Sequence, residues 1–261
     1  PSSSILAFAS GAPVRSIHFH GLKDPNRYST VTIPGKGTVK PILERDRDAI
    51  RALEPEGSLN SFPQIFLSPE ELQEGRRYLD QIGAKGPFLG LGLGASRPTK
   101  IWPMAQFAEI SKKWHQATQG SVVGVIGSGE DTIWRDFLEN LEPALHPHAH
   151  LIQDLEIRIL ASILGNFAAF CGNDSGPRHL AAAVGCPTVT LFGPEDPFEW
   201  HPYPLEQHPY LFVPDLSCRR DAPQGFHPWC GIPVCEIEKH RCMTQIEVEP
   251  VFKEIRRVAG L

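Results

Sequence analysis

The chain has 261 residues, 41% of them hydrophobic, and a formal net charge of -5, enough for one large domain or two ordinary ones with a sizeable core. The negative balance and scattered Lys and Arg give no footprint of a nucleic-acid binder. The longest apolar run, Ile159 to Cys171, is broken by Ser162, Gly165 and Asn166 and is too short for a bilayer; with no signal-peptide pattern and only six cysteines, a reducing cytoplasm is expected rather than a disulfide scaffold.

The opening SSSILAFASGAP reads as the end of a helix and a turn, and the first residue is Pro1 rather than Met, so a piece of a longer protein is expected. Short strand candidates follow at Val14–His20 and Tyr28–Ile33 between Gly- and Pro-rich turns. Residues 1–67 thus read as the tail of a domain. A helix begins at Ser68-Pro69-Glu70-Glu71, with Ser68 as cap, Pro69 in the first position and Glu71 reaching back as a capping box, and should end near Gly83.

From Phe88 the pattern alternates. Strand FLGLGLG is followed by a helix from Met104 to about Ala117, strand SVVGVIG, a helix from about Glu130 to Leu141, a short strand at His150–Ile152 and a helix from Glu156 to about Leu164. Strands separated by amphipathic helices imply βαβ units in a parallel sheet covered on both faces.

The stretch Cys171–Pro194, CGNDSGPRHLAAAVGCPTVTLFGP, completes the series. Phe167–Cys171 suits a buried strand. Asn173, Asp174 and Ser175 are N-cap formers, Pro177 fits the first helical turn, Gly185 can close the helix in a left-handed conformation, and Thr188–Phe192 is the next strand. Ser175 and His179, four apart, share one side of the first turn. A helix N-terminus with free N–H groups suits phosphate oxygens; the alternative is that Asp174 and Ser175 only cap while His179 packs locally.

Ligands of parallel sheets sit at the carboxyl ends of the strands. That selects three loops: Gly94–Pro103 with Ser96, Arg97, Thr99 and Lys100; Gly127–Asp131 with Glu130; and Asn173–His179. Lys100 and Glu130 as plain surface charges remain an alternative. Gly90, Gly92 and Ala95 match a loose G-x-G-x-x-A, but Pro98 and Pro103 delay the helix that a dinucleotide fingerprint requires. No Walker A sequence occurs.

GASRPTKIWP, IGSGED and NDSGPRHLAAAVGCPTVTLFGPEDP resemble the ADP-heptose:lipopolysaccharide heptosyltransferases, most specifically from about Phe88 to Pro202. The resemblance implies a GT-B architecture: residues 68–205 as the Rossmann-like sugar-nucleotide domain, residues 1–67 as the remnant of an acceptor-side Rossmann-like domain, and residues 206–261 as a Cys-containing loop and a helix packing back on the N-terminal domain. Carried over by motif, Ser96 and Lys100 are donor-phosphate ligands, Glu130 grips the ribose hydroxyls, and Asp174, Ser175, Gly176 and His179 surround the diphosphate and sugar.

The implied reaction transfers heptose from ADP-heptose to a lipopolysaccharide inner-core acceptor, inverting and without a cofactor or bound metal, at the cytoplasmic face of the inner membrane with peripheral contact to it. Its general base is an aspartate near the start of the N-terminal domain. No residue here matches it, so a chain that binds donor but turns over poorly is expected. The rivals are a transferase with another nucleotide sugar or acceptor, and a non-catalytic nucleotide-binding protein on the same scaffold.

Two departures from the family's pattern stand out: Ser175 stands where threonine is also found, keeping the hydroxyl, and the turn before His179 is unusual. Pro177 and Arg178 fill a turn where a small or apolar residue is expected; Arg178 either adds a phosphate contact or faces solvent, and the solvent reading is favoured because charged helix residues usually do so. In the tail, Cys218, Cys230, Cys235 and Cys242 alternate with His227 and His240 without a C-x-x-C pair, which favours structural thiols over zinc. Trp102, Trp200 and Trp229 read as core or interface aromatics, with Trp102 the candidate to line the donor pocket. The last helix, Glu247–Val258, presents Val248, Val251, Ile255 and Val258 on one face.

Overall fold

The computed structural model describes residues 2–17, 28–31, 40–54, 62–214, 216, 218, 235 and 240–261. The chain forms two compact units, the smaller from residues 1–62 with 197–202 and the larger from most of the rest. In the smaller unit lie α1 (Ser2–Ala9) and α2 (Ile42–Arg51). The turn expected after α1 is present, with Gly11 at φ 71. Of the two strand candidates, residues 14–17 and 28–31 are irregular, tied by the Thr30 N–H to Arg15 O at 2.9 Å; the remainder lies outside the described residues. The short helix Pro197–Trp200 belongs to this unit, where Arg45 reaches Glu199 at 2.7 Å and lies over the Trp200 ring. That return of the chain falls inside the span 68–205 assigned from sequence to one domain.

The larger unit is built on one parallel sheet. Its elements are α3 (Pro69–Gln81), β1 (Leu89–Gly92), α4 (Met104–Thr118), β2 (Val122–Val125), α5 (Asp131–Asn140), β3 (Ala149–Ile152), α6 (Ile157–Leu164), β4 (Ala169–Asn173), α7 (Gly176–Ala183), β5 (Thr188–Phe192) and β6 (Tyr210–Phe212). The strand order is β3-β2-β1-β4-β5-β6 with every pairing parallel. This is the doubly wound order of Rossmann folds, which reverses between β1 and β4. The capping box is formed, Glu71 N–H donating to Ser68 Oγ and Ser68 N–H to Glu71 Oε2. Gly185 adopts φ 82 after α7, as its place in the sequence requires.

Side-chain alternation along the strands divides the core. Leu89, Leu91, Ala169, Cys171, Val189 and Leu191 join one cluster with Phe107 and Trp114 of α4. Phe88, Val123, Val125 and Phe170 join the other with Leu79 of α3, Ile163 of α6 and Ala181 of α7. Period-2 alternation therefore feeds both helical layers, as a sheet covered on two faces demands.

Gly90 and Gly92 lie under aromatic rings: a Cβ at Gly90 would stand 2.5 Å from the Phe167 ring and one at Gly92 2.8 Å from that of Phe170. These glycines serve ring packing inside β1, which explains why they fit the dinucleotide fingerprint only loosely.

The last helix, Val248–Ala259, buries Val251 and Ile255 in the same cluster as Phe107 and Trp114. Its apolar face is therefore used within the larger unit, which corrects the expectation that it packs on the N-terminal segment: the neighbours that bury it come from α4, β4 and β5. Trp102 is also core, 0% exposed with its indole N–H on Ile246 O at 3.1 Å, and does not line the cleft. Cys230, His227 and Trp229 lie outside the described residues.

Candidate functional site at the carboxyl ends of the strands

The parallel register brings the loops after β1, β2, β3 and β4 to one edge, where they enclose a cleft of about 400 Å³. Of the residues singled out from sequence, Ser96, Glu130, Ser175 and Gly176 line it. Lys100, Asp174 and His179 are not in its lining. The fourth contributor, Gln153, Asp154 and Leu155 after β3, was not selected from sequence. The rule that picked the other loops picks this one too once the short strand before it is counted.

The β1 loop is fixed by Asn173 at the end of β4. Its side chain is completely buried, donating from Nδ2 to Leu93 O at 2.8 Å and accepting the Trp102 N–H on Oδ1 at 2.9 Å. Asn173 thus staples both ends of the Ser96–Lys100 turn, and the capping role expected of it is not made. Within that turn Pro98–Lys100 forms one 3-10 turn, and Arg97 is ion-paired with Glu195 in the loop after β5.

Glu130 turns its carboxylate back to the cleft rim, where Oε2 accepts the Gly127 N–H at 2.7 Å. A Cβ at Gly94 would lie 2.0 Å from the same oxygen, so the carboxylate rests on bare backbone. The free end of Glu130 remains an acceptor for a ligand's hydroxyls.

Opposite stands the first turn of α7. Ser175 holds the N-cap position with φ -151 and ψ 171, yet no side chain caps the helix. Ser175 Oγ is buried and has no hydrogen-bond partner among the described residues. An uncapped N-terminus with an unclaimed hydroxyl is a site for anionic oxygens.

Asp174 does not cap either. Its Oδ2 meets Lys100 Nζ at 2.7 Å and its Oδ1 accepts from Arg178 Nε at 3.0 Å. Burial alone would raise this carboxyl, but Arg178 and Lys100 together outweigh it and hold the group below the usual carboxylate value. Arg178, expected in solvent, is 1% exposed; the Asp174 carboxylate four residues back and the Phe192 ring beneath its guanidinium give it partners inside the core. His179 Nδ1 lies 2.7 Å from the Tyr203 hydroxyl, on the same helix but away from the cleft wall.

The model of glycosyltransferase family 9 (heptosyltransferase) matches residues 3–219. The chain is 26% identical over 199 residues to lipooligosaccharide heptosyltransferase 2 of Campylobacter jejuni, covering 76% of this chain and 56% of that protein. It is 31% identical over 141 residues to lipooligosaccharide heptosyltransferase 2 of Haemophilus influenzae, covering 52% and 40%. The chain thus spans about half the length of these curated relatives. Among solved structures, the ADP-heptose lps heptosyltransferase II of E. coli superposes with a TM-score of 0.75 at 18% identity, covering 99% of this chain and 73% of that one. A family 9 glycosyl transferase from Veillonella parvula gives 0.65 at 18%, covering 85% and 61%. The shared fold is that of the GT-B heptosyltransferases.

Proposed function

Since the chain belongs to glycosyltransferase family 9, the heptosyltransferase family, we propose that its cleft holds the nucleoside diphosphate of ADP-heptose and that the protein transfers heptose to a lipopolysaccharide inner-core acceptor. The observation that carries this is the pairing, across one cleft, of an uncapped α7 N-terminus bearing the unclaimed Ser175 hydroxyl with the Glu130 carboxylate. The first suits phosphate oxygens and the second suits ribose hydroxyls. Such a ligand carries an anionic diphosphate between two sugars that bear neutral hydroxyls, which matches that division.

In glycosyl transfer the leaving group is the nucleoside diphosphate, and charge grows on its oxygens as the anomeric bond breaks. The backbone N–H groups of Gly176 and Arg178 in the first turn of α7 and the Ser175 and Ser96 hydroxyls would stabilise that charge with little reorganisation, and the Lys100 ammonium would join them once released from Asp174. Asp174 holds Lys100 in an ion pair, whereas His179 is turned to Tyr203 outside the cleft lining and takes no part in this reading. Direct attack by an acceptor hydroxyl would invert the anomeric centre. The general base for that step is assigned to no residue of this chain.

An acceptor of lipopolysaccharide core type lies at the inner membrane, so the reaction is placed at its cytoplasmic face, by peripheral contact. Among the described residues no helix is long and apolar enough to cross a membrane.

Titration with ADP-heptose tests the reading. Saturable binding that weakens in Glu130→Ala is the expected result, and acceptor-dependent ADP release would extend it to transfer. No binding of ADP-heptose by the folded chain would refute it.

A further inference from the structure

Arg178 stands where the turn pattern leads one to expect a small or apolar residue, and it is 1% exposed. Its Nε donates to Asp174 Oδ1 at 3.0 Å, while Lys100 Nζ holds the opposite oxygen at 2.7 Å. Asp174 itself is 6% exposed. A carboxylate this deep that loses its only cation is strongly destabilising. In a two-member pair Lys100 would therefore be bound to Asp174 permanently. With Arg178 present, the carboxylate keeps a hydrogen-bonded cation whatever Lys100 does. An arginine suits the task, since its guanidinium is weakly hydrated enough to be buried on the Phe192 ring and forks onto a carboxylate. Asp174 directly precedes Ser175 and Gly176 of the cleft wall, so the carboxylate that holds Lys100 belongs to the residue adjoining, along the chain, the place where anionic oxygens would dock.

We infer that Arg178 is a positioning residue: it holds the Asp174 carboxylate so that Lys100 can exchange Asp174 for a diphosphate oxygen of the donor. This rests on the reading of Lys100 as a donor-phosphate ligand. Arg178 is fixed by the core and touches Asp174 rather than the donor, and it acts through the lysine.

The test compares ADP affinity in the whole chain and its variants, with thermal unfolding confirming the fold. Lys100→Ala and Arg178→Met should each weaken binding about tenfold, the scale of one charge-assisted hydrogen bond. Arg178→Lys, which keeps the cation but loses the second guanidinium contact and the stacking on Phe192, should weaken binding clearly less than Arg178→Met does, and a loss as large as that of Arg178→Met counts against the inference. Adding Asp174→Asn to Arg178→Met should recover much of the loss, because no carboxylate is left to retain Lys100; a packing defect would not be repaired this way. Wild-type affinity in Arg178→Met beside a weakened Lys100→Ala, or no recovery in the double variant, overturns the inference. Unchanged affinity in Lys100→Ala overturns instead the reading of Lys100 as a phosphate ligand. Independently of any variant, a crystal structure with ADP should show Lys100 Nζ on a phosphate oxygen and Arg178 still on Asp174; Lys100 still on Asp174 refutes the exchange.

Discussion

Glu130 and Gly94 are matched: the carboxylate occupies the space a side chain at Gly94 would take, 2.0 Å from where its Cβ would stand. Gly94→Ala should therefore push the carboxylate off the rim and weaken ADP binding about tenfold, close to the loss of one hydrogen bond to a charged group. Glu130→Ala should weaken it similarly and abolish discrimination against 2′-deoxy-ADP. The double variant should bind no worse than Glu130→Ala alone, since both changes remove one interaction. Additive losses in calorimetry would show that Gly94 acts by some other route.

Asn173 offers a stability test. Asn173→Ala leaves the Trp102 N–H and the Leu93 carbonyl without their buried partner, so a loss of about 2–4 kcal/mol is expected from the two bonds together. Urea unfolding measures it. The same variant should weaken ADP binding, because the turn carrying Ser96 and Lys100 is no longer stapled. Full stability would mean that the turn is held by other contacts.

This staple marks the limit of what the sequence revealed. The alternation of strands and helices was legible because periodicity and turn chemistry are local, and Thr188–Phe192 forms a strand between the very residues its β-branched content indicated. Ser96, Glu130, Ser175 and Gly176 converge because a parallel sheet places its loops on one edge. The roles of Asn173 and Arg178 were not legible. Each depends on partners brought close only by the folded sheet, Leu93 and Trp102 for Asn173 and Phe192 for Arg178, and a polar residue beside a helix start otherwise reads as a cap or a solvent group.

Acid should destabilise the fold in two windows. Burial lowers the imidazoles of His208 and His150 below the ordinary value, so below about pH 6.5 the unfolded chain binds protons that the folded chain resists, and stability declines as pH falls toward the folded values. His208→Gln should flatten part of this slope between about pH 7 and 5. The Asp174 carboxyl is held low in the folded state, so its contribution is complete above about pH 4 and is lost on further acidification. Unfolding curves against pH check both; a stability constant from pH 7 to 5 contradicts the histidine assignment.

Cys171 and Cys186 are buried, and burial pushes both thiols well above the usual value. Neither should form the thiolate that alkylating agents attack. After brief iodoacetamide treatment of the folded protein, peptide mass spectrometry should find both unmodified, with modification only after denaturation. Rapid labelling of Cys171 in the native state would contradict its place in the sheet.

The central claim is that this cleft receives the ADP portion of a nucleotide sugar, and parallel calorimetric titrations with ADP, UDP and NAD test it most directly. The account predicts saturable ADP binding at least about tenfold tighter than UDP or NAD, the scale of one good charged contact. Equal or tighter binding of NAD, or no ADP binding by a folded chain, would contradict it.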